Sequence, residues 1–114
     1  MANGPQADSK VSRNGNTLFF KVAATSRCTA VAGAIAGMMR ERGVAEVQAI
    51  GPSAVNRAVK AIAIAKTYLT GDGIAIICTP HFIEADLNGQ ERTAIQFLIE
   101  ARPLAMNRAP VNSL

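Results

Sequence analysis

The chain has no tryptophan, one tyrosine and four phenylalanines. Stacking nucleobases on an aromatic sheet needs more exposed rings than that. Its single histidine, His81, excludes a multi-histidine metal site. The two cysteines, Cys28 and Cys78, form no CxxC pair, and there is no second pair to complete a zinc site. They read as reduced, buried thiols. No apolar run approaches the roughly 18–20 residues that span a bilayer, so no membrane segment is expected. The opening MANGPQADSK lacks the apolar stretch of a secretory leader. A cytoplasmic location is the expectation that follows.

What remains is a chain of 114 residues, enough for one domain. Hydrophobic residues make up 49% and charged residues 18%, sufficient to fill a core. Lysine and arginine number 12 against 8 acidic residues, a net charge of +4. That balance favours polyanionic partners without demanding them.

Residues 1–16 are polar and carry Gly4, Pro5, Asn14 and Gly15, the pattern of a disordered tail. Residues 103–114 carry two prolines and no periodicity and read as a second tail. The folded unit is residues 17–102. Within it, residues 17–23 alternate as a strand with Leu18, Phe20 and Val22 on one face. A helix follows over residues 29–42, with Val31, Ile35, Met38 and Met39 at helical spacing. Ser26 or Thr29 is placed to cap it and Gly43 to end it. Gly33 and Gly37, one turn apart, suit a helix face lying close to another backbone.

Residues 45–50 read as a second strand, and Gly51-Pro52-Ser53 opens a long helix to about residue 69. Residues 74–79 are a buried strand that Pro80 interrupts and residues 82–85 resume. Asn88-Gly89 marks a hairpin. The last strand, residues 91–101, directs Thr93, Ile95, Phe97 and Ile99 inward. The order β-α-β-α-β-β predicts a two-layer α/β sandwich with two helices on one face of a four-stranded mixed sheet.

On a helical wheel, Val55, Ala58, Val59, Ile62 and Leu69 of the second helix face the sheet. Ile64 and Tyr68 fall on the outer side with Arg57 and Lys60. Those two apolar residues are candidates for a subunit contact, most simply a homodimer.

Catalytic chemistry is thinly supplied. Cys78 and His81 are close in sequence, but nothing orients a base or holds an oxyanion. Glu84 and Asp86 point the same way on a strand without an evident third ligand. Gly71-Asp72-Gly73 follows a helix and lacks the ending of a phosphate loop. No catalytic residue, metal or cofactor is expected. The turn Thr25-Ser26-Arg27 before the first helix is different. A helix start offers unpaired amides, and two hydroxyls with an arginine beside them suit a phosphate as well as an ordinary cap.

The segments VAGAIAGMMRERGVAEVQAIGPSAVNRAVKAIAIAK, GIAIICTPHF and NGQERTAIQFLIEAR resemble the stage V sporulation protein S family over residues 21–102. The resemblance implies a non-catalytic bacterial regulator of sporulation and development. It also implies an Alba-like fold with strand order 1-2-4-3, and dimers. Alba-like proteins bind DNA or RNA through the first strand–helix turn, the turn into the second helix, and a basic arm between the last two strands. By position these are Thr25, Ser26 and Arg27; then Ser53, Asn56 and Arg57; then Arg92 beside a short arm that is not basic. Lys60 continues the second group.

The leading expectation is therefore a dimeric, or larger, nucleic-acid-binding regulator. It would contact phosphate through Arg27, Arg57, Lys60 and Arg92 without reading sequence. The alternative is a protein–protein interaction module on the same scaffold, without nucleic-acid binding.

Overall fold

The computed structural model describes residues 9–14 and 17–102. Their elements are β1 (Ser9–Asn14), β2 (Thr17–Val22), α1 (Cys28–Arg42), β3 (Val44–Ala49), α2 (Pro52–Thr70), β4 (Ile76–Leu87) and β5 (Gln90–Ala101). The sheet order is β1-β2-β3-β5-β4. β2 and β3 are parallel, and the other pairs are antiparallel. The expected β-α-β-α-β-β sandwich is present, and its four core strands follow the 1-2-4-3 order.

The first correction is β1. Residues 9–14 lie in the segment read as a disordered tail, yet they pair with β2 from Ser9↔Val22 to Asn14↔Thr17. The two residues between the paired Asn14 and Thr17 are Gly15-Asn16, and Gly-Asn is itself a two-residue hairpin signal. The remainder of residues 1–16, and the tail expected at 103–114, lie outside the described residues.

Each helix begins just after a parallel strand ends, so α1 and α2 start at the same edge of the sheet. α1 ends at Gly43, whose φ of 77° is the left-handed conformation expected there, and its N–H donates to the Met39 carbonyl. Gly51 precedes α2 with φ 91° and ψ 156°, a conformation open to glycine and strained for any other residue. Asn88 and Gly89 both have positive φ, the type I′ geometry that suits a two-residue hairpin.

The core lies between the helices and the inner sheet face. Val31, Ile35, Val47, Leu69 and Ile99 are fully buried within it. Each such side chain contributes roughly 1.5–3 kcal/mol by leaving water. α2 buries Ala54, Ala58, Ala61, Ala65 and Leu69. That stripe is rotated from the wheel reading. Val59, expected inside, is 49% exposed, while Val55 and Ile62 are half-buried. Ile64, expected outside, is half-buried and packs against the core. Alanines admit a close approach to neighbouring backbone, which turns the larger aliphatics to the flank.

β4 also departs from expectation. Pro80 does not interrupt it; the strand runs unbroken through Pro80↔Phe97. Among the described residues β4 pairs only with β5, so a missing N–H on its outer side breaks no ladder bond. β4 is buried only in part: Ile76 joins the core, but Ile77, Cys78 and Phe82 are exposed. No helix in the described residues is long and apolar enough to cross a membrane.

Candidate nucleic-acid interface

The turn from β2 into α1 is closed by reciprocal bonds. The Ser26 amide donates to the Ala23 carbonyl at 3.0 Å, and the Ala23 amide donates to Ser26 Oγ at 2.9 Å. Ser26 is buried, while Thr25 and Arg27 on either side are exposed. Ser26 Oγ thus serves its own turn. The residue at the cap position of α1 is Arg27, in extended backbone, and its side chain makes no capping bond. The cap position expected for Ser26 or Thr29 is therefore held by neither. α2 likewise starts at Gly51 without a side-chain cap. Neither first turn carries an acidic residue. Two helix starts therefore present amides and partial positive charge at one edge.

Arg57 joins them. Its Nη1 donates to the Ser26 carbonyl at 2.9 Å, from one turn inside α2 to the turn before α1. Cys28 Sγ donates to the Arg57 carbonyl at 3.7 Å, which ties the same two turns again. Arg57 is thus half-buried and spans the helix pair, rather than projecting outward as the wheel suggested. Ser53, Asn56 and Lys60 are exposed along the first three turns of α2. The structure brings Thr25, Ser26, Arg27 and Arg57 together, with Ser53, Asn56 and Lys60 on the adjoining helix.

Arg92 stands apart on the β4–β5 hairpin. β3 pairs with β5 only from Val44↔Glu100 to Ala49↔Ile95, so residues beyond Ile95 project past the sheet at the helix-start edge. This arm is longer than the short loop expected, since both of its strands have 12 residues. It is also acidic. Glu84 pairs with Thr93 and Asp86 with Glu91, so three carboxylates share one face of the arm while Arg92 and Ala85 occupy the other. No cluster among the described residues has the ligands to hold a metal ion.

The other candidates separate. Cys78 and His81 lie an odd number of residues apart on β4, so they occupy opposite faces and cannot meet. Neither cysteine is a fully buried thiol, as both were expected to be: Cys28 is half-buried and Cys78 exposed. Partial burial still pushes the Cys78 thiol above its ordinary value. A β-carbon at Gly33 or Gly37 would meet nothing within 4 Å, so the expected close backbone is not within this chain's described residues. Asp72 of the Gly-Asp-Gly turn accepts from Arg40 Nε at 2.7 Å, which pins the turn after α2 to α1. Tyr68 is 41% exposed, on the outer side as expected.

Sequence reasoning missed the Arg57–Ser26 bond because periodicity places a residue on a helix face and says nothing of a neighbouring turn. It also missed the apolar side chains that Val59 of α2 and Phe82 of β4 expose on the helix side of the sheet, for which the only signal was proline in an apolar strand.

The model of the family described as stage V sporulation protein S (SpoVS) matches residues 18–102, which take in both helices and all of the sheet except β1 and Thr17 at the start of β2. The chain belongs to the stage V sporulation protein S family, a sporulation-related family of regulatory type.

Proposed function

We propose that the protein is a non-enzymatic nucleic-acid-binding regulator that grips the phosphate backbone as a dimer. One observation carries this reading: Arg57 links two helix starts that have no side-chain cap and no acidic residue. Backbone amides there aim at one edge, and an anion placed on them gains hydrogen bonds and a favourable dipole together. Thr25 adds a hydroxyl, Arg27 and Lys60 add full charge, and Ser53 and Asn56 add polar groups along the approach. Nothing in this set reads a base edge, so binding is independent of sequence.

The acidic face of the arm supports a second reading, a protein-interaction module, because Glu84, Asp86 and Glu91 repel phosphate. One experiment decides between them. Short duplex DNA and single-stranded RNA are titrated at several salt concentrations by fluorescence anisotropy. Phosphate binding gives a steep fall of log affinity with log salt. Arg27→Ala or Lys60→Ala each lowers the magnitude of that slope by roughly 1 for every phosphate no longer neutralised. Absence of binding to either nucleic acid at low salt refutes the leading reading and favours the module.

A further inference from the structure

Both helices pack on one face of the sheet, and among the described residues no element covers the other face. Alternation puts Gln48 on that open face, because Val47 and Ala49 on either side of it belong to the core. Register sets three more polar residues in line with it: Lys21 of β2, Gln96 of β5 and His81 of β4. Gln96 Nε2 donates to Glu46 Oε1 at 2.7 Å. Gln48 has no such bond. It is only 7% exposed, and its carboxamide has no hydrogen-bond partner among the described residues. A buried amide in that state has lost its water and gained nothing in return. Apolar groups flank the polar line, with Phe19 and Leu98 on one side and Ile83 on the other, each half-buried.

The chain leaves the sheet beside this face. β5 lies between β3 and β4, so the segment that follows it can return to the domain only over one face of the sheet. On the helix side of the exit stands the connection from α2 to β4. Its Ile74 packs on the core, and its Ala75 carbonyl accepts from the Arg102 amide at 2.7 Å.

We propose that residues 103–114 return over the open face and cover Gln48. Three observations select this segment over an unrelated partner. The first is reach. The segment has 12 residues, roughly 40 Å of extended chain. From Arg102 back to Gln96, which pairs with Gln48, is roughly 20 Å along β5. The segment can therefore reverse direction and still cross the polar line.

The second is composition. Leu104, Met106 and Val111 supply apolar groups to set against Phe19, Leu98 and Ile83. An extended backbone offers the Gln48 carboxamide both a donor and an acceptor. The third is charge. Arg108 is the one charged side chain of the segment, and Glu46 and Glu100 both lie on the open face between the exit and Gln48. Tethering adds to all three, since a linked segment acts at an effective concentration in the millimolar range, whereas a separate partner bears the full cost of association.

The test uses the full chain without nucleic acid. Cys28→Ser and Cys78→Ser leave no native thiol, and Ala109→Cys then carries a nitroxide spin label. In the NMR spectrum the amide signals of Lys21, Gln48 and Gln96 should be lost, and should return when ascorbate reduces the label. Signals of Gly33 and Gly37, on the outer side of α1, should persist. Mixing spin-labelled copies with separate isotope-labelled copies should leave every signal intact, because the segment covers its own chain.

A second variant tests what holds the segment down. Leu104→Asp with Met106→Asp should restore the Lys21, Gln48 and Gln96 signals in the spin-labelled chain. It should also remove the protection of the Gln48 side-chain amide hydrogens against exchange with water, while thermal unfolding stays cooperative. Signal loss centred on Val59 and Phe82 would seat the segment on the helix side and overturn the proposal. Signal loss nowhere, or signal loss in the mixed sample, overturns it as well.

Discussion

The Arg57 guanidinium donates to the Ser26 carbonyl across 2.9 Å and bolts the start of α2 to the turn before α1. Ser26 is almost fully buried, so its carbonyl has little access to water. Arg57 therefore holds the geometry of the edge besides adding charge to it.

The consequence is a stability effect separable from binding. Arg57→Ala should destabilise the fold by about 1.5–3 kcal/mol, the usual worth of a hydrogen bond to a charged donor. Urea unfolding without nucleic acid measures it. Arg57→Lys should recover only part of the stability, since an ammonium cannot reproduce the planar donor array of a guanidinium. A midpoint unchanged in Arg57→Ala would show that the bond holds nothing together.

Much of this architecture is legible in the residues alone, and the failures share a cause. Alternation in TLFFKVA and the Asn88-Gly89 turn locate strands because both signals are local. The orientation of α2 is not local. A wheel ranks faces by side-chain size, whereas the packed face is set by how near a neighbour can come. Ala54, Ala58, Ala61 and Ala65 take the interior although Val59 and Ile62 are larger.

Pro80 misleads in the same manner. Proline breaks a strand that has two neighbours, and among the described residues β4 has one. For the site, Thr25, Arg27 and Lys60 are found as exposed polar groups near helix starts. The bridging part of Arg57 needs the tertiary contact between two helices, which no spacing rule contains.

Cys78 sets a pH dependence. Partial burial raises its thiol above the ordinary value of about 8.5. The folded chain keeps its proton over a range in which the unfolded chain has lost it. This contribution to stability is complete below the ordinary value and disappears as pH rises through the raised one. Cys78→Ser should therefore flatten the alkaline decline in stability measured by urea titration. Alkylation of Cys78 by iodoacetamide should likewise need a higher pH than a free cysteine, although the residue is exposed. A Cys78 that reacts as fast as free cysteine at pH 8 would contradict both statements.

Gly33 and Gly37 lie inside α1, where glycine costs about 1 kcal/mol relative to alanine. Both are exposed, neither has positive φ, and a β-carbon at either would meet nothing within 4 Å. Nothing in the described fold of a single chain repays that cost. Gly33→Ala and Gly37→Ala should each stabilise the protein by roughly 0.5–1 kcal/mol, partly by narrowing the unfolded ensemble. Thermal unfolding should show a rise of several degrees for each change, and the two together should nearly add unless the positions are coupled. Were either alanine to lower the midpoint, the outer face of α1 would be in contact with another backbone.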